Sequence, residues 1–240
     1  MRNFFKKIIE IFFPNQCLLC SELIGQEGAF CRSCWSKLQF ITEPKCNICS
    51  HPFEYLIAEN LLCPKCLVQK PSYDKAIVVF RYNTVIKKVI ADFKYRDTTY
   101  LSKKFAKILF DRYKNEIGAC DLIVAVPLHK KRLRKRKFNQ AVILGRDLAK
   151  LSEKRFFYDL LLRIKNTTPQ VELRKKQRQK NLKNAFRLNE KYSSNIISKK
   201  ILLIDDVTTT GTTLENCAEI LKKFGAAKVV TLTIAKTIYR

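Results

Sequence analysis

The chain is expected to fold as an α/β protein, a mostly parallel sheet flanked by helices, with a small cysteine-rich head in front of it. Three observations carry that expectation. From about Pro71 onward, β-rich apolar runs alternate with segments of helical periodicity, the pattern of a parallel sheet covered on both faces. The run Ile201-Leu202-Leu203-Ile204 is continuously apolar, as strands buried on both faces are. Eight of the ten cysteines form four Cys-x-x-Cys pairs confined to residues 17–66. With 240 residues, 47% of them hydrophobic, the chain can bury one full core and still carry a small appendage.

Residues 1–14 read as a basic amphipathic helix, with Phe5, Ile8, Ile9, Phe12 and Phe13 near one face and Pro14 ending it. Docking of that face on the protein body is the first reading, a peripheral membrane anchor the second. Lys6, Lys7 and Glu10 interrupt the apolar run that a secretory signal needs, and no stretch reaches the roughly 18 apolar residues of a membrane span. A cytoplasmic location is expected.

Residues 15–69 hold the pairs Cys17/Cys20, Cys31/Cys34, Cys46/Cys49 and Cys63/Cys66, separated by 10, 11 and 13 residues. Each pair presents two thiolates to one metal, and two pairs complete a tetrahedral zinc site. Disulfides would not persist in a cytosolic redox setting. Two structural zinc ions are expected, most simply held by pairs one and two and by pairs three and four, an interleaved arrangement remaining open. So short a segment buries little apolar area, so metal binding, on the order of 10–16 kcal/mol per site, supplies much of its folding energy. A closed four-thiolate site has no open position for substrate, so the head is read as docking a partner or shaping the edge of a neighbouring cleft. His51 is read as a turn residue, Cys120 and Cys217 as core packing.

Residues 70–240 form the body. Ala76 to Phe80, Leu122 to Val126, Tyr158 to Ile164, Lys200 to Ile204 and Lys228 to Ala235 read as strands, and Val85 to Tyr95, Ser102 to Tyr113, Lys137 to Ser152 and Thr212 to Phe224 as helices. The apolar face of the Lys137 to Ser152 helix is expected to be Phe138, Ala141, Val142, Leu144, Leu148 and Leu151.

Ile201 to Leu214 carries the strongest functional signal. Its apolar strand ends in two adjacent carboxylates, Asp205 and Asp206, followed by Thr208, Thr209, Thr210, Gly211, Thr212 and Thr213 at the start of a helix. Ligands on open α/β sheets sit beyond the carboxyl ends of the strands. Free amides, hydroxyls and the positive helix end favour a phosphate in the turn. Acids beside a phosphate cradle suit a sugar phosphate, the acids taking hydroxyls and the loop the phosphate. Helix capping explains one Asp or Thr but not two acids with five threonines.

Lys+Arg number 47 against 21 acids, a formal charge of +26, which predicts attraction to polyanions such as nucleic acid, an anionic membrane surface or phosphorylated substrates. Much of it follows the strand end at Pro127, in a loop with Lys130, Lys131, Arg132, Arg134, Lys135, Arg136 and Lys137. Those cations can balance a departing pyrophosphate or track a nucleic-acid backbone. A second basic cluster, Arg174, Lys175, Lys176, Arg178, Lys180 and Lys183, reads as a charged helix or mobile loop near the sheet. Phe138 and Tyr192 offer stacking surfaces for single-stranded DNA or simply core.

The Ile201 to Leu214 segment closely resembles the phosphoribosyl-pyrophosphate (PRPP) signature of type I phosphoribosyltransferases. The resemblance implies that Asp205 and Asp206 contact ribose hydroxyls and that Thr208 to Thr213 bind the 5′-phosphate. The cysteine pairs, F-R-Y, F-K-Y-R, V-P-L-H-x-x-R-L-R-x-R, F-N-Q, R-x-x-x-T-x-P-Q, A-F and the PRPP motif resemble, in that order, the ComF competence family over about residues 14–236. That family joins a double zinc ribbon to a type I phosphoribosyltransferase domain and is associated with natural transformation and DNA uptake in the cytoplasm. It usually shows R-G-F-N-Q where this chain has Arg136, Lys137, Phe138, Asn139 and Gln140. Losing the glycine removes easy access to positive φ, which bears on the turn and on the pyrophosphate geometry.

The expected function is that of a ComF-family protein binding PRPP and single-stranded DNA in DNA uptake. The alternative is an active phosphoribosyltransferase that moves ribose 5-phosphate from PRPP to a nitrogenous base. In the latter, magnesium bridges pyrophosphate and ribose oxygens, Asp205 and Asp206 fix the ribose, and Arg132, Arg134 and Arg136 stabilise the leaving group. A third expectation is an adaptor whose zinc head docks a DNA-uptake helicase or translocase.

Overall fold

The computed structural model describes residues 15–25, 28–55, 61–95, 100–165 and 185–238. The expected helix over residues 1–14, the T-T-P-Q stretch and the basic cluster from Arg174 to Lys183 lie outside the described residues.

Five strands form one wholly parallel sheet, in the order β1 (Lys75–Arg81), β7 (Lys228–Lys236), β6 (Lys200–Thr208), β2 (Leu122–Ala125) and β3 (Arg155–Phe157). The continuous apolar runs are buried end to end, as both faces are covered. On one face, Ile77, Val79, Ile123, Leu202, Ile204, Leu232 and Ile234 pack against α3 (Thr84–Tyr95), α4 (Tyr100–Gly118) and α6 (Gln140–Ser152). On the other, Ala76, Val124, Ile201, Leu203 and Val229 pack against α8 (Thr212–Lys223) and an antiparallel pair, β4 (Leu161–Arg163) with β5 (Phe186–Leu188). A 3-10 turn, Glu190–Tyr192, and a short α7 (Ser193–Ile196) lead into β6.

Several element boundaries move. Tyr158 to Ile164 is not one strand: β3 ends at Phe157 in the main sheet, and β4 begins at Leu161 in the small one. Strand β6 runs past Ile204 to Thr208, because Asp205, Val207 and Thr208 pair with Thr233, Ala235 and Lys236 of β7. The basic run after Pro127 is a helix, α5 (Lys130–Arg136), not a loop; its N-cap His129 accepts a hydrogen bond from the Lys131 amide at 3.2 Å. In α6 the buried side includes Ala141, Leu144 and Leu148 as expected, but also Gln140 and Asp147, while Leu151 is exposed. Cys120 and Cys217 are buried in the core.

The head is two zinc modules, each docked on a different face of the sheet. Cys17, Cys20, Cys31 and Cys34 form one tetrad and Cys46, Cys49, Cys63 and Cys66 the other, so consecutive pairs come together as one donor set. In each module the first pair sits in a tight turn and the second opens a short helix, α1 (Arg32–Trp35) after Cys31 and α2 (Pro64–Val68) after Cys63. Sulfurs held about 2.3 Å from one zinc lie about 3.8 Å from each other. The Cys20 and Cys31 sulfurs are 3.7 Å apart and those of Cys49 and Cys63 3.5 Å, so the donor sets fit structural zinc. Between the modules, residues 39–41 bond along the outer edge of β1: the Ile41 amide donates to Val79 O at 2.8 Å and the Arg81 amide to Gln39 O at 2.8 Å. The head thereby protects an edge that would otherwise present unpaired backbone groups.

Candidate functional site

Strand alternation splits the acid pair. Leu202 and Ile204 face α3, so Asp206 continues that face and meets Lys94 near the end of α3, an ion pair at 2.9 Å. Asp205 continues the opposite face, within electrostatic reach of Cys217 in α8 and Arg163 at the end of β4. Each carboxylate also accepts from the next amide, Asp205 Oδ1 from Asp206 N at 2.9 Å and Asp206 Oδ1 from Val207 N at 2.7 Å.

The two acids differ in charge state for physical reasons. Burial and the neighbouring Asp206 charge hold the Asp205 carboxyl up to about 8. Burial would raise Asp206 as well, but the Lys94 ammonium and then Arg136 hold it below the usual carboxylate range. The two carboxyls are therefore driven in opposite directions, Asp205 toward its neutral form and Asp206 toward its ionised form.

The helical form of α5 sorts its arginines. Arg132 and Arg136, one turn apart, are half-buried and share electrostatic reach with Arg163, whereas Arg134 is exposed. Burial, with Arg132 next and then Arg136, lowers the Arg163 guanidinium to about 10. The following F-N-Q motif is a bracket. Asn139 caps α6 through the Ala141 amide at 3.0 Å and donates to Val126 O at 2.9 Å. Gln140, 1% exposed, donates to Phe93 O and Lys94 O at 3.3 Å each and accepts from Arg136 Nη1 at 3.4 Å. One buried amide thus ties together the two cations that act on Asp206. Lys137, between Arg136 and this bracket, takes φ 67°: the turn is kept in the left-handed region without glycine.

After Thr208 the chain turns through Thr209 and Thr210 to Gly211, which caps α8 at φ 85°. The Thr210 and Thr212 hydroxyls are hydrogen-bonded to each other at 2.8 Å. The second zinc module and the segment after it hold this turn: Lys65 Nζ donates to Thr210 O at 2.8 Å, and Ser72 donates through its amide and hydroxyl to Glu215 in the first turn of α8. Of the residues expected at the site, Asp205, Asp206, Arg132, Arg136 and the Thr208 to Thr213 turn gather at the carboxyl ends of β6 and β2, and Arg134 points away. Lys94, Gln140, Arg163 and Lys65 join them. The first three stand in the F-K-Y-R, F-N-Q and R-x-x-x-T-x-P-Q motifs, whereas nothing near Lys65 in the sequence marks it. Tyr192 is no free stacking surface: it packs edge-on against Phe157, with ring centroids 5.1 Å apart, and donates to Asp159 at 2.8 Å.

A cavity of about 660 Å³ lies on the other side of the threonine turn from the acid pair, against the second zinc module. Thr208 to Gly211 form its boundary with the acid-pair cleft, and neither aspartate lines it.

Comparison with known proteins agrees with this construction. Residues 8–67 match the double zinc ribbon domain and residues 139–238 the phosphoribosyl transferase domain. The chain is 27% identical to Competence protein F of Haemophilus influenzae, over 94% of this chain and 98% of that protein. It is 27% identical to DNA utilization protein YhgH of Escherichia coli over the same shares, 94% and 98%. With Competence protein ComFC of Bacillus subtilis it shares 27% identity over 92% and 95% of the two chains. Among solved structures, glutamine PRPP amidotransferase from Bacillus subtilis aligns with 59% of this chain and 30% of that one at 14% identity and a TM-score of 0.40, too slight a likeness to argue from. With both domains matched in order and relatives of this kind spanning nearly its whole length, the chain resembles the competence and DNA utilization proteins throughout.

Proposed function

We propose that this protein binds PRPP in the cleft between Asp205, Asp206 and the Thr208 to Thr213 turn, and handles single-stranded DNA during uptake in the cytoplasm. The observation that carries the reading is the convergence of a buried acid pair, a hydroxyl-lined turn at a helix start and the cations Lys94, Arg132, Arg136 and Arg163 at the carboxyl ends of β6 and β2. The turn offers amides and hydroxyls to the 5′-phosphate. Asp205 and Asp206 hold the ribose hydroxyls, and the arginines face the pyrophosphate. Magnesium accompanying PRPP would supply a hard cation to offset the charge of the pyrophosphate. The names of the relatives, a competence protein and a DNA utilization protein, support the pathway. Leu67 and Val68 stand exposed at the end of α2 in the second module, a surface suited to a helicase or translocase partner.

Titration calorimetry with PRPP and magnesium tests the cleft. Replacing Asp205→Asn together with Asp206→Asn should weaken binding at least tenfold, and unchanged affinity would remove both acids from the ribose site. The exposed cations Lys130, Lys131 and Arg134 suit a DNA backbone. Changing all three to alanine should flatten the log–log salt slope of single-stranded DNA binding by about two. The arginines beside the acid pair equally suit catalysis, since a departing pyrophosphate needs fixed positive charge. Incubation with PRPP, magnesium and a panel of bases, read as pyrophosphate release, decides whether turnover occurs.

A further inference from the structure

We propose that the first zinc module and α4 together form a stacking platform for single-stranded DNA, Trp35 taking the face of a base and Arg32, Lys37 and Arg112 the flanking phosphates. The proposal rests on the reading that this chain handles single-stranded DNA, and supplies the aromatic surface that Tyr192 does not provide. Trp35 ends α1 and is the one tryptophan of the chain. Its ring is braced from within by Phe30, with centroids 6.5 Å apart, and by Phe40 at 5.0 Å. Phe40 in turn rests on Phe80 of β1 at 4.8 Å, and Phe80 is wholly buried. The row of rings is thus anchored in the sheet, yet Trp35 at its outer end stays 47% exposed. A ring already fixed from behind loses little freedom when a base stacks on it.

The charges around the ring select the partner. Arg32 lies one helical turn before Trp35, and Ser33, Ser36 and Lys37 are exposed beside it in the chain. Arg112 of α4 lays its guanidinium over the same Phe40 ring, 5.1 Å from the centroid, and is exposed as well. Among the described residues Arg32, Lys37 and Arg112 make no ion pair, while the acids of α4 are taken, Asp111 by Lys107 at 3.3 Å and Glu116 by Lys75 at 3.6 Å. No acid stands between Arg32 and Thr42 in the sequence. Uncompensated cations about an exposed, rigid ring fit a ligand that alternates phosphates with flat bases. A protein partner calls for a contiguous apolar patch, whereas Trp35 stands among cations and serines. Duplex DNA keeps its base faces inside the stack, so the ring selects a single strand.

With a single tryptophan, indole emission reports on Trp35 alone. The full-length, zinc-loaded chain is titrated with oligothymidylate, with an abasic oligomer of the same length and with duplex DNA, following both that emission and the anisotropy of a labelled strand. Oligothymidylate should quench the emission saturably; the two controls, which offer charge without free base faces, should not. Trp35→Ala should weaken oligothymidylate binding about fivefold or more, and Trp35→Phe, which keeps a ring, should hold it within about threefold. Alanine at Arg32, Lys37 and Arg112 together should flatten the log–log salt slope by about two. Zinc content shows whether Trp35→Ala keeps its module, and if it does not, the quench in the native chain decides alone. Strand binding by anisotropy with silent emission would overturn this proposal and leave the DNA reading standing, whereas no strand binding at all would overturn both. Equal quenching by either control, or unchanged affinity in a zinc-replete Trp35→Ala, would also overturn it and leave the ring to a protein partner.

Discussion

In the first zinc module Cys20 is exposed and Cys31 half-exposed, whereas all four cysteines of the second are buried. The first module packs Phe30 and Leu38 into the layer of α3 and α4. Its polar ties are lysines from those helices, Lys104 to Gln16 O at 2.7 Å and Lys88 to Leu19 O at 3.4 Å. The second packs on the opposite face and reaches the threonine turn through Lys65, with Ser72 and Glu215 alongside. A repeated motif has thus acquired two uses: one module braces the opposite face of the sheet, the other walls the cavity behind the threonine turn and holds that turn.

Metal loss at either module is the strongest way to break that comparison. Cys31→Ser and Cys63→Ser should each lower bound zinc from two ions per chain to one, read by elemental analysis. Structural zinc is worth on the order of 10 kcal/mol to the module it folds, so both variants should melt earlier. They should differ at the cleft. Cys63→Ser should lose PRPP binding altogether, while Cys31→Ser should retain it within about threefold. Equal losses would mean that the second module has no special hold on the turn.

The acid pair is the part of the cleft the second module does not touch, and its response to pH should be its own. Asp205 is held up to about 8 by burial and by the Asp206 charge, while the unfolded chain releases this proton near pH 3.9. Between those values the folded state binds more protons than the unfolded one, so stability falls as pH rises from about 4 to about 8. Thermal midpoints across that window should decline in the native chain and in Cys31→Ser, and decline less in Asp205→Asn. An equal decline in Asp205→Asn would assign the proton elsewhere.

Lys65→Met sharpens the comparison without removing metal. It deletes one charge-assisted hydrogen bond to Thr210 O from an exposed side chain, so the effect is modest, roughly a threefold loss of PRPP affinity with zinc content unchanged. The matched change in the first module, Lys104→Met, removes a bond to Gln16 O and should leave that affinity alone.

What could be read from the sequence was local. The four Cys-x-x-Cys pairs disclosed both tetrads, and the apolar run into Asp205 and Asp206 disclosed the strand, the turn and the helix after it, because each is encoded in one short contiguous stretch of chain. The basic helix α5 was hidden because a run of lysines and arginines has no apolar period; His129 as its cap and the i, i+4 placing of Arg132 and Arg136 carry it. Tyr158 to Ile164 misled because a continuous β-rich stretch does not say where it changes sheet. Lys94 opposite Asp206 and Lys65 on Thr210, 145 positions away, are products of the fold, and no spacing rule reaches them.

The smallest expected effect concerns the turn at Lys137. Lys137 ends α5 at φ 67° and ψ −29°, a conformation that costs a residue with a Cβ on the order of 1 kcal/mol or more. Asn139 and Gln140 immediately afterwards fasten the chain to Val126 O, Phe93 O and Lys94 O, and those bonds hold the turn against the strain. Lys137→Gly should relieve it and raise stability by about 0.5–1 kcal/mol in denaturant titrations, the gain being partly offset by the freer unfolded chain. PRPP affinity should not change, because Arg132 and Arg136 keep their places in α5. A fall in stability would mean that the Lys137 side chain contributes more than its backbone costs, and a change in affinity would mean that the strained turn positions the arginines.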